Sequence, residues 1–352
     1  MPPGLETLPA ELFLRVLEQL TDKHDLSALS LVSKKWHGLV VQALWKSISI
    51  QPRSDYSPYR LIIAHLPRDR LQFLQKLHFR PKTEPEKCTH ARDDRLPLWE
   101  NELSEGESEI VDWDSTLDGS VYGLDERFRF LNLADRAVRV LDKLRDGQLS
   151  AFSWELGTCI PSQVLGPRGI VPCKHPLLRS LSLTTPQCHA PEAETREIDL
   201  SSFVELRSLR WIGPHPAHLR TLSAALGRNS ARLQHLELYF DSWREFRNPL
   251  RHWTTGIDDE LQRLCASRLF GLTAQFPQPI LFPAISTLSL TGVPLTAAVA
   301  QALGFNTLWS LTIRECPGWR EFLVWVVEAG LSVRLKAFEI CDRDGQDPDS
   351  GL

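Results

Sequence analysis

The N-terminal segment, up to Trp45, spaces its apolar residues as amphipathic helices do. The first apolar stripe comprises Leu12, Phe13, Val16, Leu17 and Leu20. Pro9 stands where a first helical residue tolerates a missing N–H, and Glu11 falls in the first turn, where the helix dipole favours an acid. These signals predict a helix that begins at Pro9.

Two further short helices are predicted after the first. Leu26, Leu29 and Val32 form a second apolar set, which ends at Ser33, a residue suited to cap a third helix. The apolar residues of that third helix are Trp36, Leu39, Val40, Ala43 and Leu44. We expect Trp36 to pack between the three helices. Because such helices are too small to bury a core of their own, we expect something else, such as a partner, to complete their apolar faces.

The remainder of the chain repeats a short phrase, apolar-x-x-apolar-x-apolar. The phrase begins at Trp45, Leu74, Leu149, Leu178, Leu206, Leu233, Ile285, Leu308 and Leu335. Its alternation is typical of a β-strand with one buried face. Subtracting successive start positions gives 29 for the first pair and 29, 28, 27, 52, 23 and 27 from Leu149 onward. Spacings of about 20 to 29 residues are typical of stacked repeats, in which each unit covers the next.

Helical segments are predicted between these strands. Apolar residues at helical spacing occur in residues 130–144, in 219–226, around 261–264 and in 322–329. Gly227 and Gly330 follow two of these segments, and Gly227 is the predicted C-cap of the helix before it. The sequence therefore predicts an α/β fold with a parallel sheet.

An insertion is expected between the phrases at Leu74 and Leu149, which lie 75 residues apart. Residues 81–120 are polar, and the stretch from Glu100 to Asp118 contains eight acidic residues and no Lys or Arg. Such a composition buries too little apolar area to offset its ordering entropy, so we expect disorder here. A solvated loop without a role and a docking site for a basic partner stay open as interpretations.

These patterns divide the chain into three parts: a helical module at 1–50, a repeat domain at 51–340 and a disordered tail at 341–352. With 352 residues and 42% hydrophobic content, the chain can bury a large core. A net charge of −4 gives no electrostatic reason to expect nucleic-acid binding. There is neither an 18-residue apolar run nor a secretion signal, so we expect no membrane association and a cytoplasmic or nuclear location.

The sequence gives little indication of a catalytic or metal-binding site. The sequence has no Gly-rich phosphate loop after a strand, no His-Glu-x-x-His and no nucleophile elbow. Cysteines and histidines between 159 and 189 lack the close pairs typical of zinc sites, and the seven scattered cysteines are expected to be reduced thiols. We therefore expect no metal, no cofactor and no enzymatic activity. An enzyme hidden in the repeat region is a weaker alternative.

The N-terminal pattern resembles the F-box. The matching elements are Leu8-Pro9-x-Glu11-Leu12, the run to Leu20, Asp25-Leu26, Val32-Ser33-Lys34-x-Trp36 and Leu44-Trp45. In that family the module binds a Skp-type adaptor, which attaches the protein to a cullin-RING ubiquitin ligase. The resemblance implies adaptor contacts at Leu8, Pro9, Leu12, Val16, Leu17 and Leu29. It implies an F-box core at Leu20, Val32, Trp36, Leu44 and Trp45. Alternatively, these residues are only the core of an N-terminal helical cap.

The phrases resemble degenerate leucine-rich repeats, which occur in many F-box proteins, especially fungal ones. Only the segment from Leu308 to Cys316 keeps the family's Asn-or-Cys position, so we expect an irregular solenoid. Residues between the apolar positions would face a concave surface that holds a protein substrate. The candidates there are Arg210, His235, Glu237, Tyr239, Arg314 and Glu339, with Lys76, His78 and Arg80 on an earlier strand. Ordinary solvated strand faces are the alternative.

Together the two resemblances imply a substrate-recognition subunit of a Skp–cullin–F-box ubiquitin ligase, acting in the ubiquitin-like protein (Ubl) conjugation pathway. Its partners would be a Skp-type adaptor, through it a cullin, and a protein substrate. The alternative is a non-degradative scaffold assembled through the same adaptor.

Overall fold

The computed structural model describes residues 9–20, 22–54, 57–61, 66–81, 120–185, 198–240, 258–272 and 279–342. The acidic insertion expected at about 81–120 lies almost wholly outside the described residues. So does the predicted tail, apart from its first two residues. Cys341 ends the last strand, so the regular structure extends one residue into the range predicted as tail.

Three helices open the chain: α1 Ala10–Gln19, α2 Lys23–Ser30 and α3 Lys34–Trp45. Pro9 occupies the N-cap of α1 rather than its first helical position. The Ser33 hydroxyl accepts a hydrogen bond from the Trp36 N–H at 3.3 Å, which confirms the predicted cap of α3. The Asp22 carboxylate caps α2 in the same way by accepting from the His24 N–H at 2.7 Å.

Within the described residues, nine strands form one parallel sheet whose spatial order follows the chain. They are β1 Ser47–Ile50, β4 Lys76–Phe79, β5 Ala151–Trp154, β6 Ser180–Thr184, β7 Ser208–Ile212, β8 His235–Tyr239, β9 Thr287–Thr291, β10 Ser310–Arg314 and β11 Ala337–Cys341. Strands β2 Pro52–Ser54 and β3 Ser57–Leu61 form a separate antiparallel pair. Each of the nine phrases supplies one strand of the parallel sheet, so the prediction of these strands is confirmed. Because β1 starts at Ser47, the sheet begins inside the range assigned to the helical module.

The apolar positions of neighbouring strands stack in rows and form one core. In β6, Leu181 and Leu183 are fully buried. The alternating residues Ser180, Ser182 and Thr184 point to the opposite face. The parallel register sets Leu181 beside Leu209 and Leu183 beside Trp211. Since full burial of such a side chain contributes about 1.5–3 kcal/mol, these rows are the main source of stability.

The remaining helices connect the strands. They are α4 Arg68–Leu71, α5 Ser120–Asp142, α6 Ser162–Leu165, α7 Ile170–Lys174, α8 Leu219–Asn229, α9 Asp258–Phe270, α10 Ala297–Ala302 and α11 Trp319–Glu328, with a 3₁₀ turn at Pro216–His218. Helix α8 continues past Gly227, so the predicted C-cap there was wrong. Its last residue, Asn229, is buried and accepts from the Leu206 N–H and donates to the Phe203 carbonyl, both at 2.9 Å. This amide joins the helix end to the connection before β7, so helix and sheet are tied at that point.

The two edges of the sheet differ in how they are covered. Helix α3 contacts β1 and α4 packs against α3, and the Lys23 ammonium donates to the Ser47 carbonyl at 2.8 Å. At the other edge, Phe338 of β11 is 53% exposed although its register partner Leu311 is buried. The apolar face of the sheet is therefore incompletely covered at β11.

The cysteines depart from expectation at one position. Cys159 is disulfide-bonded, whereas Cys173, Cys265, Cys316 and Cys341 are free thiols. Burial raises the pKa of both the Cys265 and the Cys316 thiol to about 12, so these two stay protonated. No cluster of three or more metal-ligating side chains occurs among the described residues. None of the described helices has the length and apolar content of a bilayer span.

A glycine substitution tests the strand-end geometry. Gly292 follows β9 with φ of +64°, and an added Cβ would overlap the Phe240 carbonyl oxygen. We expect Gly292→Ala to destabilise the protein by about 2 kcal/mol or more, because the left-handed backbone and the overlap both oppose a side chain. Urea unfolding at neutral pH measures the loss.

The matched control for that substitution is Gly227→Ala. A Cβ at Gly227 meets no atom within 4 Å, and this residue lies inside α8. Alanine there should stabilise the protein by about 0.5–1 kcal/mol. Equal destabilisation by the two substitutions would contradict the assigned backbone geometry.

A buried histidine makes folding stability depend on pH. His175 is fully buried, and its Nδ1 accepts from the Leu149 N–H at 3.4 Å. Burial lowers the pKa of the imidazole to about 4, with Lys174 reinforcing the effect and Asp146 opposing it. The unfolded imidazole binds a proton below about pH 6.5, while the native one does not until about pH 4. The contribution of neutral His175 to the free energy of unfolding is therefore fully present above about pH 6.5 and is lost as the pH falls toward 4.

We expect this residue to account for a loss of about 2 kcal/mol between pH 7 and pH 5. His175→Gln should flatten the dependence of the unfolding free energy on pH over that range, as measured by urea titrations. His37→Gln, at an exposed position of α3, is the control for the loss of an imidazole. Identical slopes for all three proteins would exclude a buried neutral imidazole at position 175.

Candidate functional site

Helix α1 divides its apolar residues between two faces. Phe13 and Leu17 are buried, and the Phe13 ring meets the Trp36 ring edge-on with centroids 4.0 Å apart. Leu12 and Val16, each one position earlier, are 49% and 46% exposed. Helical geometry turns each residue by about 100° from the next, so one stripe serves the core and the adjacent one faces solvent.

The core of the helical module largely contains the residues expected there. Its buried members are Phe13, Leu17, Leu26, Trp36 and Val40, and Leu20, Leu29, Leu39, Ala43 and Leu44 pack against them partly buried. Trp45 is partly buried. Val32, expected in this core, is 66% exposed because it lies in the turn between α2 and α3. The core assignment of Val32 was therefore wrong.

The residues expected to contact an adaptor differ in accessibility. Pro9, Leu12 and Val16 are exposed, and Leu29 is half-buried. Leu17 is only 2% exposed and packs in the core, which places it among the structural residues instead. Leu8 lies outside the described residues.

Sequence reasoning missed one strongly exposed apolar residue, Leu31, at the C-terminal end of α2. Leu31 follows Leu29 by two positions, and two helical steps point a side chain to the opposite face. The exposure of Leu31 could have been predicted from that spacing. With Val32, it adds a second patch of exposed apolar surface to the module.

The candidate substrate residues belong to the face of the parallel sheet that points away from the core. We call this the outer face. The parallel registers bring its central positions into one row: Ser49, His78, Ser153, Ser182, Arg210, Glu237, Ser289, Thr312 and Glu339. The face thus combines small hydroxyl side chains with a few charged ones.

Four of the predicted substrate residues pair with one another on this face. The Arg210 guanidinium lies 3.0 Å from a Glu237 carboxylate oxygen and 3.5 Å from one of Glu155. Arg314 binds Glu339 through two parallel hydrogen bonds of 2.8 and 3.0 Å. The hydrogen bond to Glu339 raises the pKa of Arg314 above its ordinary value. A ligand that binds these arginines must compete with carboxylates already in place.

His235 and Tyr239 occupy the two ends of β8 on the same face. His235 is exposed, and Tyr239 is half-buried in register with Thr291 and Ile212. The structure therefore brings all six candidate residues to the outer face, but distributes them over four strands, β7, β8, β10 and β11, rather than converging them on one point.

Comparison with known proteins identifies the N-terminal part of the chain. Residues 5–51 match the family model described as F-box-like, and this range contains α1, α2, α3 and β1. The match supports an F-box protein, and such a domain implies a Skp-type adaptor as its partner in general. No curated protein matches the chain.

Two alanine substitutions test the division of α1 into two faces. Phe13→Ala should cost about 3–5 kcal/mol of local stability, because it empties the space against Trp36. Leu12→Ala should cost less than about 1 kcal/mol, since its side chain is half exposed. Amide hydrogen exchange of peptides from α1 and α3 measures both effects. Similar protection losses in the two variants would contradict the two-face assignment.

Proposed function

We propose that this chain is the substrate-recognition subunit of a Skp–cullin–F-box ubiquitin ligase. The observation that carries the proposal is the exposed stripe of α1, with Leu12 and Val16, inside the region that matches the F-box-like model. An isolated helical cap would have no need to leave these side chains in solvent. The adaptor would bury them and so complete the apolar faces of the helices.

The exposed stripe has the chemistry of an interface centre. Pro9, Leu12 and Val16 carry no charge, and each is exposed on a helix whose core face is already filled. Full burial of a leucine or valine side chain contributes about 1.5–3 kcal/mol. Leu12 and Val16 are about half exposed, so burial by a partner would contribute about half of that for each. Leu31 and Val32 enlarge the apolar surface near the turn between α2 and α3.

The rest of the chain would act as an irregular solenoid of degenerate leucine-rich repeats that holds the substrate. Nine parallel strands in chain order, at the observed spacings, support this interpretation. The outer face supports it further, because its serines, threonines and charged residues form an extended polar surface across all nine strands.

In this proposal the chain makes and breaks no bonds. Other subunits would supply the ubiquitin transfer, and this chain would raise the local concentration of a substrate lysine near the ubiquitin-charged enzyme. Cullin association together with a substrate half-life that lengthens on its removal would support the degradative role. Adaptor binding with unchanged substrate half-life would support a scaffold instead.

The proposal predicts that Leu12→Asp weakens binding to a Skp-type adaptor at least tenfold. The substitution places a charge in an apolar interface, where its desolvation is unfavourable. Isothermal titration of the purified chain with the adaptor measures the change. Undiminished affinity in Leu12→Asp would remove α1 from the interface.

A matched control is Leu131→Asp on α5. Leu131 is 49% exposed, the same fraction as Leu12, but belongs to the connection between β4 and β5. It should leave adaptor affinity within twofold of the unsubstituted chain. Equal losses in the two variants would indicate a general effect of surface charge rather than a defined interface.

A further inference from the structure

The second strand of the parallel sheet, β4, carries the most basic side chains of the outer face. Leu77 and Phe79 are fully buried, so Lys76, His78 and Arg80 alternate onto the opposite side. Lys76 is exposed, and His78 and Arg80 are half-buried. Three basic side chains therefore follow one another along β4 on the outer face.

A fourth basic residue reaches this place from the helical module. The Lys23 ammonium of α2 donates to the carbonyl of Ser47, whose register partner is Lys76. Burial, followed by the charge of Arg80, lowers the pKa of Lys23. Two cations are thus held near each other at the junction between module and sheet.

Among the described residues, acidic side chains offset these cations only in part. Among the described residues that act electrostatically on His78, Glu155 alone is acidic, against Arg80, Lys76 and Lys23. Glu155 already accepts a hydrogen bond from Ser182 at 2.7 Å and pairs with Arg210. In the described part of the chain, no carboxylate forms an ion pair with Lys76 or Arg80.

A shallow trough lies beside this basic row. Strands β5 and β6 present small side chains to the outer face: Ala151, Ser153, Ser180, Ser182 and Thr184. The carboxylate of Glu155, which follows β5, also lies here, because it accepts a hydrogen bond from Ser182 and pairs with Arg210. Arg210 of β7 bounds the trough on the far side. Strands β4 and β7 are three interstrand steps apart, or about 14 Å, which leaves room for one extended segment.

The floor of the trough contains a polar atom that lacks a partner. Ser153 is buried, lies in register between His78 and Ser182, and its hydroxyl forms no hydrogen bond within the described structure. Buried hydroxyls are normally satisfied, but neighbouring atoms cover this oxygen, so it belongs to the floor beneath the trough and is not a ligand contact.

The spacing of the cations selects the shape of the ligand. Lys76 and Arg80 are four residues apart along the chain, so their charges lie about 13 Å apart in a line, and His78, whose pKa is lowered chiefly by burial, stands between them. A single phosphate needs donors that converge on one point. Carboxylates four residues apart on an extended chain, which alternation of acidic residues includes, span the same distance as Lys76 and Arg80.

We propose that the trough between β4 and β7 binds an extended peptide whose alternate side chains are Asp or Glu. The inference rests on the proposed substrate-binding role of the outer face and names the chemical class of that substrate. The peptide's carboxylates pair with Lys76 and Arg80, and its backbone lies over the small side chains of β5 and β6.

The test uses the full chain and three fluorescein-labelled peptides of equal length. One alternates glutamate with serine, the second replaces each glutamate by glutamine, and the third adds a single phosphoserine to the glutamine peptide. Fluorescence polarisation should show that the acidic peptide binds at least tenfold more tightly than the glutamine peptide. Its affinity should fall as salt is raised.

Substitution of the basic row should weaken this binding. The Lys76→Gln/Arg80→Gln double variant should lose about tenfold or more in affinity for the acidic peptide, with unchanged thermal unfolding. Lys143→Gln/Arg145→Gln removes the same charge at exposed positions after α5 and should change affinity less than twofold. Equal losses in the two double variants would overturn the assignment. So would equal binding of the acidic and glutamine peptides, or binding of the phosphopeptide alone.

Adaptor titrations on the same proteins separate this inference from the proposed function. Adaptor binding that persists while the acidic peptide fails to bind would overturn the peptide site and leave the adaptor role standing. An unsubstituted chain that binds the acidic peptide but no adaptor would overturn the ligase role alone.

Discussion

The structure depends on the stacking of apolar rows across parallel strands. No strand can bury its own apolar residues, since Leu181 and Leu183 of β6 are covered only by the neighbouring strands and the connecting helices. This constraint fixes the register. A slip of one residue would carry every leucine to the outer face and every serine into the core. The polar character of the outer face is therefore a direct consequence of how the core is built.

The same constraint acts differently in the helical module. Its core is small and has five buried members, Phe13, Leu17, Leu26, Trp36 and Val40. The second apolar stripe of α1 has no place in that core and stays in solvent. In the sheet, neighbouring strands and helices of the same chain cover the apolar faces. In the module, part of the apolar surface stays exposed, and in the proposed function an adaptor covers it.

Much of this architecture could be predicted because it follows from local periodicity. The phrase that ends in Leu181-x-Leu183 identifies one strand, and its repetition identifies the other eight. Ser33 capped α3 as expected, since a cap depends only on residues three positions apart.

The errors arose where tertiary neighbours decide. Leu17 and Val32 both fit an apolar pattern, but the pattern does not say which stripe meets the other helices. Gly227 resembles a cap, yet the buried amide of Asn229 extends α8 by tying it to the strand connection. The pairing of Arg210 with Glu155 and Glu237 also could not be predicted, because it depends on which strands lie side by side.

The exposed position of β11 makes this edge of the sheet easier to open than its centre. Within the described residues this strand has a hydrogen-bonded neighbour on one side only, and the ring of Phe338 is about half exposed to solvent. Its local opening costs less free energy than that of a central strand such as β7. Unfolding should therefore begin by fraying at β11 and unzip toward the middle of the sheet, leaving the strands nearest the helical module folded longest.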